Sequence, residues 1–77
     1  MLVTIAFGPD YESNAPELGS SVKSKWADAD VSYVGLSNPE YREKYQVQLE
    51  HDIVYSKRSG ESVESVNSTV TKIENKL

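Results

Sequence analysis

The chain of 77 residues contains no cysteine. A disulfide bond, a thiolate zinc site and a cysteine-held iron–sulfur cluster are therefore excluded, and further stability must come from packing or association. Histidine is almost as scarce, since His51 is the only one and lies between Glu50 and Asp52. Consecutive side chains in an extended hairpin point in opposite directions, so these three do not converge on an ion. We expect neither a metal site nor any other cofactor.

Catalytic motifs are missing as well. No Gly-x-Ser-x-Gly nucleophile elbow accompanies His51, and the sequence has no glycine-rich phosphate loop. A serine hydrolase and a nucleotide-dependent enzyme are therefore not expected. We predict that the protein is not an enzyme.

Positive charge is in short supply. The chain has 8 Lys and Arg against 12 Asp and Glu, for a formal net charge of −4. Nucleic-acid binding draws on clustered basic side chains, so we predict no nucleic-acid partner. The longest basic run is the pair Lys57-Arg58, which we predict to lie in a solvated turn.

Long apolar runs are also absent. The opening MLVTIAFG is short, has no basic residues before it and runs into Pro9-Asp10, so it is typical of neither a signal peptide nor a membrane span. We expect no membrane partner and a cytoplasmic location, either in a cell or in a virus-infected host cell. The length predicts one domain, 1–77, near the size at which a single core only just offsets chain entropy. That balance favours association.

Local patterns in the first half predict a strand, a helix and a second strand. Leu2–Phe7 is rich in β-branched residues with bulk on both faces, which is typical of a central strand. Asn14 is predicted to cap a helix over residues 15–26. Residues 31–36 return to strand composition and complete a β-α-β unit. The apolar stripe of the helix consists of Leu18, Val22 and Trp26.

The second half predicts a hairpin and a helix. Residues 44–49 alternate between apolar and polar, which indicates a strand with one solvated face. A turn at 50–52 leads to a partner strand at 53–55, and a loop follows at 57–61. From residue 63 an amphipathic helix is predicted, capped by Ser62 or Ser65. Its apolar positions are Val63, Val66, Val70, Ile73 and Leu77.

The predicted order β-α-β-β-β-α corresponds to a small two-layer α/β sandwich. A right-handed crossover makes the first two strands parallel neighbours, the hairpin adds antiparallel strands, and the helices cover the sheet. Element order alone leaves thioredoxin-like, ferredoxin-like and other small α/β folds open.

The segment GLSNPEYREKYQVQLEHDIVYSK, residues 35–57, resembles the core of the selenoprotein W (Rdx) family. Weaker similarity runs through VTIAF and the last helix, and therefore over most of the chain. The resemblance implies a thioredoxin-like fold, in which the family's chemistry sits in a Cys-x-x-Cys or Cys-x-x-selenocysteine loop. The matching positions are Gly35, Pro39, Tyr45, Val47, Ile53, Ser56 and Lys57.

This chain departs from the family at the redox loop. The loop follows the first strand in the family, and here Phe7 is followed by Gly8-Pro9-Asp10-Tyr11. Gly8 and Tyr11 then stand in place of the two redox residues, and neither carries a thiol. Either a redox protein lost its site and kept its body for binding, or an unrelated protein has the same element order. If the loop has the family geometry, converting Gly8 and Tyr11 together to cysteine leaves the fold intact and permits a disulfide.

Five tyrosines are many for so short a chain. Those on strands, Tyr33, Tyr45 and Tyr55, are predicted to fill the core edge, whereas the loop tyrosines suit contacts with a partner. We hypothesise a non-catalytic protein-interaction module that binds another protein or a further copy of itself. A small structural or accessory subunit of a larger assembly, such as a viral one, is the alternative. The candidate partner-binding residues are Gly8, Pro9, Asp10, Tyr11 and Tyr41.

Overall fold

A computed structural model of the chain describes residues 1–58 and 60–77. The order of elements confirms the predicted two-layer α/β architecture. The predicted loop at 57–61 includes Ser59, which lies outside the described residues. The elements are β1 (Leu2–Phe7), a 3₁₀ turn (Pro9–Tyr11), α1 (Asn14–Lys25), β2 (Asp30–Gly35), a second 3₁₀ turn (Pro39–Tyr41), β3 (Tyr45–Leu49), β4 (Asp52–Ser56) and α2 (Val66–Lys76).

The four strands form one mixed sheet in the order β2-β1-β3-β4. β1 is therefore central, as its apolar composition on both faces predicts. It pairs in parallel with β2 and antiparallel with β3, and β3 and β4 form the predicted antiparallel hairpin. The β3–β4 register shifts at Val47/Gln48, whereas the β1–β2 register is continuous.

The core lies between one face of the sheet and both helices. Val3 and Ile5 of β1 are fully buried there, together with Val47 of β3. Leu18 and Val22 of α1 and Ile73 of α2 close the layer from the other side. Burial of such aliphatic side chains stabilises a fold by about 1.5–3 kcal/mol each before entropy is counted.

The ends of the helices differ from the predictions by a few residues. α1 begins at Asn14 after Ser13 and ends before Trp26, which is half-buried beyond the last turn. α2 begins at Val66 because the hydroxyl of Ser65 accepts a hydrogen bond from the Ser68 amide at 3.2 Å. Of the two predicted caps, Ser65 is therefore the one used.

The prediction that Leu77 lies on the buried stripe of the last helix is wrong. Leu77 is 66% exposed, because α2 ends at Lys76 and Leu77 lies outside the helix. Thr69 is buried instead, and its hydroxyl donates to the Ser65 carbonyl oxygen at 3.1 Å. That intrahelical bond satisfies the polar atom and allows threonine to occupy a core position.

The other face of the sheet is open. Among the described residues, both helices pack on the same face as the core, and Gln46 and Gln48 on the opposite face of β3 are half-buried. Leu2, Val34 and Ile53 are exposed on that face by 41%, 41% and 55%. The predicted solvated face of the third strand is thus one part of a larger uncovered surface.

Candidate interaction site at the end of the central strands

Two short loops meet beyond the end of β1. The Gly8 amide donates to the Lys44 carbonyl oxygen at 2.8 Å, and the Asp10 amide donates to the Arg42 carbonyl oxygen at 3.3 Å. Phe7 is paired with Tyr45, so the residues after β1 necessarily lie beside the residues before β3. We call residues 8–11 and 39–44 together the loop pair.

Gly8 is where the two loops approach most closely. It is buried, and a Cβ atom at this position would overlap the Tyr41 carbonyl oxygen and lie 2.5 Å from the Arg42 carbonyl oxygen. Both obstacles are backbone atoms and cannot rotate away. A side chain at position 8 therefore requires the two loops to move apart, which argues against the expectation that cysteine at positions 8 and 11 leaves the fold intact.

The second loop is shaped by its own hydrogen bonds. The side chain of Asn38 accepts from the Glu40 amide at 3.0 Å, which caps the short turn at Pro39. The Tyr41 amide donates to the Asn38 carbonyl oxygen at 2.8 Å, and the Lys44 amide donates to the Tyr41 carbonyl oxygen at 3.0 Å. The Tyr41 side chain is 44% exposed on this fixed backbone.

One ion pair joins the loops on the outside. Arg42 Nη2 lies 3.5 Å from Asp10 Oδ1, and both side chains are substantially exposed. An exposed pair of this kind contributes at most about 1 kcal/mol. The backbone hydrogen bonds between the loops and the close approach at Gly8 therefore fix the loop pair more than this ion pair does.

Tyr11 turns inward, unlike the other loop tyrosine. Its ring meets the Tyr45 ring edge-on at a centroid distance of 5.7 Å, and the Tyr45 ring meets that of Tyr55 at 6.1 Å. Tyr11 is half-buried against the core, so it supports the loop from below. Burial is the main cause that raises the pKa of Tyr45 to about 12.

Lys57 is a buried cation beneath the loop pair. The side chain is 4% exposed, and Nζ donates to the carbonyl oxygens of Glu43 at 3.3 Å and Arg58 at 3.1 Å. Nζ also lies 5.2 Å from the centroid of the Tyr11 ring. A hydrogen bond with the Tyr11 side chain raises the pKa of Lys57 above its ordinary value, against an opposing effect of desolvation.

The prediction that Lys57 lies in a solvated turn is therefore wrong, whereas Arg58 is exposed as predicted. The sequence does hold a signal for the burial of Lys57. Tyr55 is paired with the buried Val47, and strand alternation places Lys57, two residues on, on the same face as Tyr55. The adjacent Arg58 points the other way, because a pair of consecutive basic residues is typical of an exposed turn.

Two clefts flank the first loop. The larger has a volume of about 610 Å³, and Asp10, Tyr41 and Lys57 are among the residues that line it. The smaller encloses about 280 Å³ between Pro9 and the residues after β2. The larger cleft carries both signs of charge, which suits a polar protein surface better than a phosphate group. Its charged residues are Asp10, Glu40, Arg42, Glu43, Lys44 and Lys57.

The structure thus brings four of the five predicted residues to the loop surface or to the contact between the loops. Pro9, Asp10 and Tyr41 face outward, Gly8 forms the contact between the loops, and Tyr11 packs beneath them. Lys57 is the contributor that sequence patterns missed.

In the part of the chain that the structure describes, His, Asp and Glu side chains form no group of three that could hold a metal ion. His51 is exposed in the hairpin turn, at the opposite end of β3 from the loop pair. Neither of the two described helices is long and apolar enough to cross a membrane. Comparison with models of known protein families and with curated proteins returned no match.

Proposed function

We propose that the protein is a non-catalytic interaction module that binds a partner protein through the loop pair. The observation that carries this proposal is the fixed arrangement of residues 8–11 against 39–44, with Pro9, Asp10 and Tyr41 presented outward. Interfaces gain affinity when the contact residues are already held in place, because less conformational entropy is lost on binding. Tyrosine is among the residues that contribute most to such interfaces.

The proposed scaffold is thioredoxin-like and similar to selenoprotein W. Its support is the match over residues 35–57 together with the order of the elements. The loop after β1 lacks thiols, so on this proposal the scaffold binds without redox chemistry. We further propose that the protein acts inside the cell, a virus-infected cell included, and does not bind nucleic acid, in keeping with a net charge of −4.

The test compares two tyrosines of similar exposure. Tyr41 is 44% exposed on the loop pair, and Tyr33 is 47% exposed on β2. A partner captured from the native source is purified, and its dissociation constant is measured for the wild type, Tyr41→Ala and Tyr33→Ala. We expect Tyr41→Ala to weaken binding by at least about tenfold, as is typical of a central aromatic contact, and Tyr33→Ala to leave it within about threefold.

Equal weakening by both variants, or no weakening by Tyr41→Ala, would contradict the proposal. Failure to detect any partner by capture and native mass spectrometry would count against it as well. A circular-dichroism melt of each variant separates lost binding from lost folding.

The open sheet face favours a second candidate, a structural or accessory subunit of a larger assembly. Leu2, Val34 and Ile53 leave apolar surface uncovered there, and a neighbouring subunit would bury it. On this candidate the isolated chain is poorly stable. A cooperative melt of the monomer well above physiological temperature would contradict it.

A further inference from the structure

β2 is an edge strand without the features that usually protect an edge. In the described part of the chain it pairs with β1 on one side and with no strand on the other. Val31 is its only half-buried residue, and the rest are exposed. The strand Asp30–Gly35 contains neither proline nor lysine, and its register with β1 has no bulge. Such an edge is prone to pair with another strand.

The opposite edge is different. β4 pairs with β3 through a register shift, contacts α2 and is followed two residues later by the exposed Arg58. Bulges and basic residues both disfavour further strand pairing. The two edges therefore differ in their capacity to add a strand.

The backbone groups available on β2 follow from its bonds to β1. The Asp30 amide donates to the Met1 carbonyl oxygen at 2.8 Å, and the Leu36 amide donates to the Phe7 carbonyl oxygen at 2.9 Å. Backbone groups of alternate residues point to opposite sides of a strand. The N–H and C=O groups of Val31, Tyr33 and Gly35 therefore point away from β1, toward the free edge.

We propose that this edge pairs antiparallel with the same edge of a second copy of the chain. The two-fold axis passes through the Tyr33 pair, so that Tyr33 opposes Tyr33 and Val31 opposes Gly35. This register pairs every outward backbone group of the strand, and it joins the two sheets into one continuous sheet. Shifting the centre to Ser32 would pair Val31 with Tyr33 and leave the groups of Gly35 without a partner in the strand.

The self-pairing register suits the charges of the chain. Asp30 is the only charged residue in the strand and lies opposite Leu36 of the second copy. The two Asp30 residues are offset by six positions, about 20 Å along the strands at roughly 3.4 Å per residue. This exceeds the Debye length of about 8 Å at physiological ionic strength, so like charges scarcely oppose pairing. A second copy satisfies the outward groups of both edges at once, because the register is symmetric about Tyr33.

The experiment measures self-association by sedimentation equilibrium. Strand pairing of this size lies at the small end of interfaces, so we expect dimers to form between roughly 10 µM and 1 mM. On the open face, Val34 lies opposite Ser32 of the second copy in the proposed register. Ser32→Lys/Val34→Lys then places like charges directly opposite, and we expect the association constant to fall at least about tenfold. Ile53→Lys, on the same face at the other edge, is the matched control and is expected to leave the constant unchanged.

A second pair of variants tests the register. Ser32→Lys mixed with Val34→Glu places opposite charges across the edge, so the mixture is expected to form more heterodimer than either variant forms homodimer. Monomer at all concentrations up to 1 mM would overturn the proposal. An equal loss of association in Ile53→Lys would also overturn it, because that result indicates stacking of the open faces. Pairing of the edge with an added extended peptide, but not with a second copy, would overturn it as well. These variants lie outside the loop pair, so partner binding and self-association fail independently.

Discussion

Tyr33 and Tyr55 lie at the two ends of one row of residues that crosses the helix-covered face of the sheet. Tyr33 is paired with Ile5, Ile5 with Val47, and Val47 with Tyr55. The two tyrosines nevertheless differ in their surroundings. Tyr33 is 47% exposed, whereas Tyr55 is half-buried, and its hydroxyl accepts a hydrogen bond from the Glu64 amide at 3.0 Å.

The difference comes from the residue that each helix places beside the tyrosine at its edge of the sheet. Lys72 of α2 lies 5.0 Å from the centroid of the Tyr55 ring and 2.9 Å from Glu64 Oε1. α1 instead presents Gly19 to Tyr33, and glycine has no side chain to cover the ring. Identical residues in equivalent strand positions are thus fixed on one side of the molecule and exposed on the other. Among the described residues, the Tyr55 side chain on the β4 edge has directional contacts, and the Tyr33 side chain on the β2 edge has none.

The largest expected effect tests this difference at two glycines. Gly8→Ala places a Cβ against two backbone carbonyl oxygens of the second loop. Because overpacking against a fixed backbone is costly, we expect the free energy of unfolding to fall by about 3 kcal/mol or more, which approaches the total stability of a chain this small. Urea denaturation followed by circular dichroism measures the loss.

Gly19→Ala is the matched control for that substitution. The atoms nearest to its Cβ would belong to the end of the Tyr33 ring, which can shift more readily than backbone because this side chain is 47% exposed. Alanine also favours the helix by about 1 kcal/mol over glycine. We expect the unfolding free energy to stay within about 1 kcal/mol of the wild type. A Gly19→Ala protein as unstable as Gly8→Ala would remove the distinction between the two sides.

How far the sequence predicts the molecule depends on the range of the contacts. Alternation in β3 and the apolar spacing of α2 follow from local periodicity, so the strand faces and the burial of Ile73 were predictable. The prediction that Tyr33 fills the core edge is wrong, since the residue is 47% exposed. Its burial depended on the residue that α1 places next to the ring, which is Gly19 and has no side chain to cover it. The burial of Gly8 likewise depends on Tyr41, a residue far along the chain, and no local pattern reports such a contact.

A somewhat smaller effect is expected in alkaline solution. The pKa of Tyr45 is raised from 10.0 to about 12 in the folded chain, chiefly by burial. The unfolded chain therefore loses this proton first as the pH rises. The stabilising contribution of the neutral phenol is full below about pH 10 and is lost between about pH 10 and pH 12. Two units of pKa correspond to roughly 3 kcal/mol.

The raised pKa of Lys57 acts in the same direction, since protonation of this amine is favoured in the folded chain. Unfolding free energies of the wild type and Tyr45→Phe, measured from pH 8 to pH 12, separate the two groups. We expect Tyr45→Phe to lose most of the alkaline decline. If the variant declines as steeply as the wild type, Tyr45 is not the group responsible.

Amide hydrogen exchange tests most directly the claim that the β3–β4 side with its loop pair is fixed while the β2 edge is free. The Gly8 amide is bonded to the Lys44 carbonyl oxygen, whereas the Tyr33 amide points to the free edge. In dilute solution, where the chain is monomeric, we predict that exchange at Gly8 is slowed at least about 100-fold relative to an unstructured peptide, and that Tyr33 exchanges within about tenfold of that peptide. Equal exchange rates at Gly8 and Tyr33 would contradict the account.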